Sequence, residues 1–271
     1  MATNSIIRKL AAAPETEATM PALFIGHGNP MNAIEDTEFS RAWAEVARSL
    51  PKPKAVLCVS AHWETAGTRV TAMEQPKTIH DFYGFPPALF EKRYPAPGSP
   101  DLARMAQGLV RTAPIELDSD WGLDHGAWSV LCRMFPDADI PVIQLSLGQR
   151  KTPAFHYGLG RELRELRKKG VLILGSGNIV HNLREMVWED TAYDWALEFD
   201  ALIKGLILSG DHEAIIGYSE LGRSARLAVP TPEHYLPLLY VLGTQDDSDA
   251  VAFFAEKVTL GSMSMRSVKI G

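Results

Sequence analysis

An apolar run that stops on a histidine held between two glycines constrains this chain more than any other feature. Leu23-Phe24-Ile25 leads straight into Gly26-His27-Gly28-Asn29-Pro30. Consecutive large apolar side chains read as a buried strand, and the glycines as a tight turn at its end. Neighbours without side chains also leave room for a ligand or metal to approach the imidazole. The pattern recurs. Ala55-Val56-Leu57-Cys58-Val59-Ser60 delivers Ala61-His62-Trp63-Glu64, and Val171-Leu172-Ile173-Leu174 runs into Gly175-Ser176-Gly177-Asn178, with His181 close behind. Sites in open α/β sheets form just beyond the carboxyl ends of the strands. The expectation is an α/β fold with histidines gathered at that end of one sheet.

The spacing of Phe39, Trp43, Val46 and Leu50 predicts a helix over 38–50, stopped by Pro51-Lys52-Pro53. With strands at 22–25 and 55–60, this strand–helix–strand opening predicts a parallel pair. A short strand follows at 68–72. Ser99-Pro100 and Thr152-Pro153 are cap-and-proline helix starts, predicting helices to about 111 and 169. Further helices are expected over 127–135, 190–208 and 237–241, with short ones across 211–225. Strands are expected at 141–147 and 171–174, and a final strand, on an edge, at 263–270. The stretch 78–87, dense in aromatics, glycine and proline, reads as a binding loop. No repeat or linker interrupts the chain. The domain expectation is one catalytic domain over 21–271, with a mostly parallel or mixed central sheet flanked by helices, preceded by a flexible leader over 1–20.

With 271 residues, 46% of them hydrophobic, the chain can bury a large core. A net charge of −6 without a basic stripe argues against nucleic acid or a membrane surface as partner. No apolar run is long enough to span a bilayer. Pro14, Glu15 and Glu17 break any secretory pattern near the start. The two cysteines, Cys58 and Cys132, lie in apolar segments and read as buried thiols of a cytoplasmic protein. The absence of an amphipathic seam points to a monomer.

Five of the eight histidines, His27, His62, His125, His181 and His234, lie at strand ends or in Gly/Pro-rich turns. His80 lies in the aromatic loop. His156 and His212 fall on helical or surface-like stretches and receive no role. Imidazole suits Zn, Cu, Fe and Ni, and three protein ligands with open positions mark a catalytic site. Glu64, Asp124 and Glu233 are the nearby carboxylates, either partners that fix a histidine tautomer or solvated charges. Rival motifs fail: Gly175-Ser176-Gly177-Asn178-Ile179-Val180 lacks the third glycine of a dinucleotide fingerprint, and no phosphate loop, nucleophile elbow, CxxC or HExxH is present.

Six stretches then carry a resemblance, in order: Phe24-Ile25-Gly26-His27-Gly28-Asn29-Pro30, Val59-Ser60-Ala61-His62-Trp63, His80-Asp81-Phe82-Tyr83-Gly84-Phe85-Pro86, Leu123-Asp124-His125-Gly126-Ala127-Trp128, Gly175-Ser176-Gly177-Asn178-Ile179-Val180-His181-Asn182 and Thr231-Pro232-Glu233-His234-Tyr235. The chain resembles the class III (LigB-type) extradiol ring-cleavage dioxygenases, and within them the bacterial DOPA 4,5-dioxygenase branch. The resemblance implies a LigB-like fold and one divalent metal per chain, with His27 and His62 as two ligands. His234 falls on the third in this branch; other class III members carry a glutamate there, and Glu233 stands beside it. His181 matches the acid/base histidine and, with zinc bound, a fourth ligand. His125 matches a histidine lining the substrate and oxygen pocket, and Phe82 and Tyr83 would wall the ring. The implied substrates are a catechol and O2, above all L-DOPA, opened to 4,5-seco-DOPA that cyclises to betalamic acid. Fe(II) is implied for activity. Zn(II), higher in the affinity series, is expected in purified protein. A zinc-dependent hydrolase, a non-catalytic metal-binding relative and a closed structural metal site are the alternatives.

Overall fold

The computed structural model of the chain describes residues 19–271. In chain order the strands are β1 (Ala22–Gly26), β2 (Ala55–Thr65), β3 (Thr68–Thr71), β4 (Ile115–Asp118), β5 (Val142–Gly148), β6 (Val171–Gly177), β7 (Val251–Phe254), β8 (Val258–Thr259), β9 (Met263–Ser264) and β10 (Ser267–Ile270). The helices are α1 (Glu38–Ser49), α2 (Pro87–Glu91), α3 (Pro100–Leu109), α4 (His125–Met134), α5 (Pro153–Leu163), α6 (Glu165–Lys168), α7 (Asp194–Ser209), α8 (His212–Ile216), α9 (Arg223–Ala228) and α10 (Leu236–Gly243).

Eight strands form one mixed sheet in the order β4-β3-β5-β2-β6-β1-β10-β7. Its centre is parallel: β6 pairs in parallel with both β1 and β2, and β2 in parallel with β5. Successive side chains of a strand point to opposite faces, and the two cores follow that alternation. Phe24, Leu57, Leu145 and Ile173 pack with Leu159, Phe199 and Leu239 of α5, α7 and α10. Leu23, Ile25, Cys58 and Leu174 pack with Trp43 of α1 and Trp128 and Leu131 of α4. Helices cover both faces, which is why the central strands carry unbroken apolar runs rather than an alternating pattern.

Several expectations change. β1 and β2 are not neighbours, because β6 lies between them. The closing strand is two pieces, and β10 is interior, antiparallel to both β1 and β7. The edges are β4 and β7, four residues each, too short to carry a clear pattern. The helix expected over 153–169 divides at Arg164 into α5 and α6. α4 begins two residues early because the Asp124 carboxylate caps it, accepting the Ala127 backbone N–H at 3.1 Å. Of the expected leader, 1–18 lie outside the described residues. Met20 is buried, and its backbone exchanges hydrogen bonds with Arg167. Among the described residues no helix is long and apolar enough to cross a membrane. Cys58 and Cys132 are free and buried, as expected.

Candidate metal centre

The carboxyl ends of β1 and β6 meet the middle of β2 at one level of the sheet. Gly26 of β1 faces Gly177 of β6, and Ser60 of β2 faces Ser176 of β6. His27 follows directly after β1. His62 does not lie beyond β2, as the sequence suggested, but inside it, where the register breaks: Val59 faces Leu145 of β5, yet Glu64 faces Leu147. The surplus residues on β2 form an irregularity of the kind that re-aims a side chain, and it turns His62 towards His27. His234 arrives on the turn before α10. Its carbonyl accepts the Asn178 N–H at 2.8 Å, just past the end of β6.

One nitrogen from each of His27, His62 and His234 lies within 4.8 Å of the others. Hydrogen bonds fix which nitrogen faces inward. Ser176 Oγ gives its own proton to the Gly126 carbonyl at 2.6 Å. It can therefore only accept from His27 Nδ1, 3.0 Å away. That places the His27 proton on Nδ1 and leaves Nε2 as a lone pair. His234 Nδ1 lies 3.2 Å from Glu233 Oε1, which fixes the same tautomer there. His62 Nδ1 lies 3.7 Å from Asp81 Oδ2. Nε2 of His27 and Nε2 of His62 then face each other at 3.1 Å. The lone pair on His27 Nε2 at that distance calls either for a proton on His62 Nε2 or for a cation shared by the two nitrogens. Metal–nitrogen bonds of about 2.0–2.1 Å put neighbouring ligands about 2.8–3.4 Å apart, so the donor set fits a divalent ion.

Burial pushes the imidazoles of His27, His62 and His234 well below the usual histidine value of 6.5, and repulsion from neighbouring imidazoles adds to it, with Asp81 opposing at His62. All three are neutral at pH 7, the form a metal requires. His181 stacks on His234, ring centroids 3.4 Å apart and planes 8° from parallel. Burial, with repulsion from His125, pushes its imidazole down to about 4. The His125 ring sits 3.8 Å from that of His62. Asp81 holds it twice, through the backbone N–H and through Nδ1, both at 2.9 Å.

The remaining candidates separate. The Phe82 ring meets His125 edge-on at 5.6 Å, whereas Tyr83, beside it, is 92% exposed and faces solvent. His80 turns away, Nε2 lying 2.9 Å from the Lys92 carbonyl. Asp124 is fully buried and accepts from Ser60 at 2.7 Å and from Gln144 at 2.7 Å. It ties the strand of His62 to the helix of His125. Glu64 is exposed, and burial and Glu233 raise its carboxyl. His156 is not surface-like: it is fully buried, its Nδ1 3.0 Å from the Tyr240 hydroxyl, because it lies on the face of α5 that packs on α10. His212 pairs with the Tyr157 hydroxyl at 2.9 Å.

Sequence reasoning missed Asp81 and Ser176 as orienting groups. Asp81 sits in an irregular loop with no periodicity to mark it. It also misjudged the glycines around His27. A side chain at Gly26 would strike the Met265 backbone, and one at Gly28, which holds φ +55, would strike the sulfurs of Met265 and Met263. They admit the chain at 263–265, not the metal.

A mixed α/β sheet with three histidines gathered beside its strand ends presents the donor set of a metal-binding α/β protein. The sequence matches the family described as the catalytic LigB subunit of aromatic ring-opening dioxygenase over residues 21–269. It is 48% identical to a 4,5-DOPA dioxygenase extradiol of Escherichia coli K12, over 93% of this chain and 95% of that protein. To the protein of the same name from Beta vulgaris it is 39% identical, over 91% and 94%. A crystal structure described as an uncharacterized Escherichia coli K12 protein superposes with a TM-score of 0.82 at 44% identity, covering 93% of this chain and all of that one. The chain belongs to the LigB family and is an extradiol dioxygenase of the class III type.

Proposed function

We infer that the chain opens catechol rings beside the diol with O2, and that L-DOPA is a substrate, cleaved at the 4,5 position to a seco-DOPA that closes to betalamic acid. The observation that carries the reading is the inward pair of Nε2 atoms of His27 and His62, 3.1 Å apart, with His234 alongside. These three residues would hold one divalent ion. Fe(II), when bound, supplies the Lewis acidity and the redox partnership with O2 that side chains lack. Zinc's place above Fe(II) in the affinity series supports its capture during purification.

The chain's own groups do the rest. A neutral His181 at pH 7 can accept a catechol proton, and because its imidazole is weakly basic it returns that proton readily to a departing oxygen. In the tautomer that Asp81 enforces, His125 presents a free Nε2 as acceptor. Phe82, packed on His125, offers an apolar wall for the ring and limits water. His181 and His125 are accordingly assigned as the acid/base pair. Tyr83, in solvent, would contact substrate only if its loop folds inward.

The test is an oxygen-electrode trace with Fe(II)-loaded protein and a panel of catechols including L-DOPA. Oxygen uptake with a yellow product is expected with Fe(II) and absent with zinc alone. Equal turnover with zinc, or hydrolysis without uptake, would replace the reading with that of a zinc hydrolase.

A further inference from the structure

His27 and His62 belong to different strands, and β6 lies between those strands in the sheet. No ladder therefore joins the two residues directly. What they share is the first turn of α4. The Gly126 carbonyl in that turn accepts the Ser176 hydroxyl at 2.6 Å, and Ser176 Oγ in turn accepts from His27 Nδ1 at 3.0 Å. On the other side, Ser60 Oγ accepts the His62 backbone N–H at 3.3 Å and donates to Asp124 Oδ1 at 2.7 Å. Asp124 is the residue that caps α4. The turn fits between these groups without slack: a Cβ on Gly126 would lie 2.5 Å from Ser60 Oγ and 2.9 Å from His62 Cδ2.

Asp124 is what fixes the turn in place. Besides Ser60, its Oδ1 accepts the Ala127 N–H at 3.1 Å, and its Oδ2 accepts Gln144 Nε2 at 2.7 Å. Gln144 answers with its own oxygen, which accepts the Asp124 backbone N–H at 2.8 Å. Gln144 sits on β5, opposite Cys58 of β2. One carboxylate thus joins α4, β2 and β5. Asp124, Ser60, Gln144 and Ser176 are all fully buried. A buried polar group that loses its partner carries a large desolvation penalty, so a set in which every donor meets an acceptor has one favoured geometry. Asp124 is in none of the groups whose atoms could share an ion. Its influence on the cluster runs through the residues it binds.

We propose that Asp124 is a positioning residue for the metal: by pinning the first turn of α4 to β2 and β5, it sets how His27 and His62 present their Nε2 atoms to one ion. The inference rests on the reading that these imidazoles hold that ion. It gives the buried carboxylate a part in the site without contact with metal or substrate.

The test uses Co(II), whose visible absorption bands report the geometry of its ligands, on the full chain. Its affinity is read by competition with a chelator, and folding by far-UV circular dichroism and Tm. The variants are Asp124→Asn, the same change combined with Gln144→Glu, and Ser60→Ala. Asparagine keeps a capping oxygen but turns an amide towards the Gln144 amide, and Gln144→Glu puts an acceptor back opposite it. Ser60→Ala cuts the link between Asp124 and β2. Asp124→Asn is expected to lower Co(II) affinity by about tenfold and to shift the bands. The double variant should recover the bands and most of the affinity, and Ser60→Ala should shift the bands in its turn. A folded Asp124→Asn protein with unchanged bands and affinity overturns the proposal even if its Tm falls, because the carboxylate then serves the fold alone. A folded double variant that recovers neither overturns it too. If Asp124→Asn does not fold, with or without the second change, Ser60→Ala decides, and unchanged bands there sink the proposal. If the unmodified protein binds no Co(II) at the histidines, it is the metal-centre reading that falls, and this inference falls with it.

Discussion

Asp81 shows how much one carboxylate can decide. Burial alone would raise its carboxyl, but the His125 hydrogen bonds and the nearby His62 imidazole hold it below the usual carboxylate value. It is therefore ionised wherever the enzyme would work, and a single oxygen, Oδ2, faces Nδ1 of both His125 and His62 at 2.9 and 3.7 Å. Each ring then turns Nε2 inward. Groups that orient a metal-ligating histidine typically matter about 10–100-fold in affinity or activity. Asp81→Asn, which keeps the shape and removes the charge, is expected to weaken metal binding by about that factor, read by competition with a chromogenic chelator. An affinity within twofold of the unmodified protein would mean that His62 orients without help.

Among the elements, β6 and the turn that carries His234 are fitted to each other without clearance. A Cβ on Gly177 would collide with the His234 carbonyl, and one on Gly175 with the Pro237 carbonyl. The run Gly175-Ser176-Gly177, which looks at first like half of a nucleotide fingerprint, instead gives α10 a smooth strand to lie against and places Ser176 beneath His27. Gly177→Ala is expected to push His234 off the cluster, lowering metal affinity by at least about tenfold while far-UV circular dichroism stays close to normal. Retained affinity would show that the turn can shift without losing the ligand. The strand runs and cap residues were legible because burial and turn chemistry write themselves into neighbouring positions. The register break that aims His62 was not, since it exists only relative to β5.

At the scale of the molecule, the site makes the metal-free protein sensitive to acid. Burial holds His181 and His156 at about 4, against 6.5 for an unperturbed imidazole, and keeps His27, His62 and His234 low as well. Between pH 6.5 and about 4 the unfolded chain binds protons that the folded chain refuses, so stability falls as pH falls. At pH 5 His181 and His156 each account for roughly 1–2 kcal/mol of that loss. Thermal melting of chelator-treated protein should drop steadily from pH 7 to pH 5, and added metal should restore Tm at pH 7. A flat profile would mean that these imidazoles are not held neutral. The closing device is far from the site: Arg167, fully buried, binds the Met20 and Thr244 carbonyls and Asp249, joining the start of the described chain to the segment before β7.

By itself the sequence determined that apolar strands would be buried between helices, that several would end in histidine-bearing turns, and, through six ordered motifs, which family the chain resembles. Those are local facts, carried by periodicity, glycine, proline and cap chemistry within a few residues. Only the tertiary structure decided that β6 enters between β1 and β2, that His234 meets His27 and His62, that Asp81 governs two imidazoles, and that Tyr83 points away while Phe82 packs inward. Each of those outcomes depends on which distant segments share a face of the sheet, and packing across the whole chain sets that.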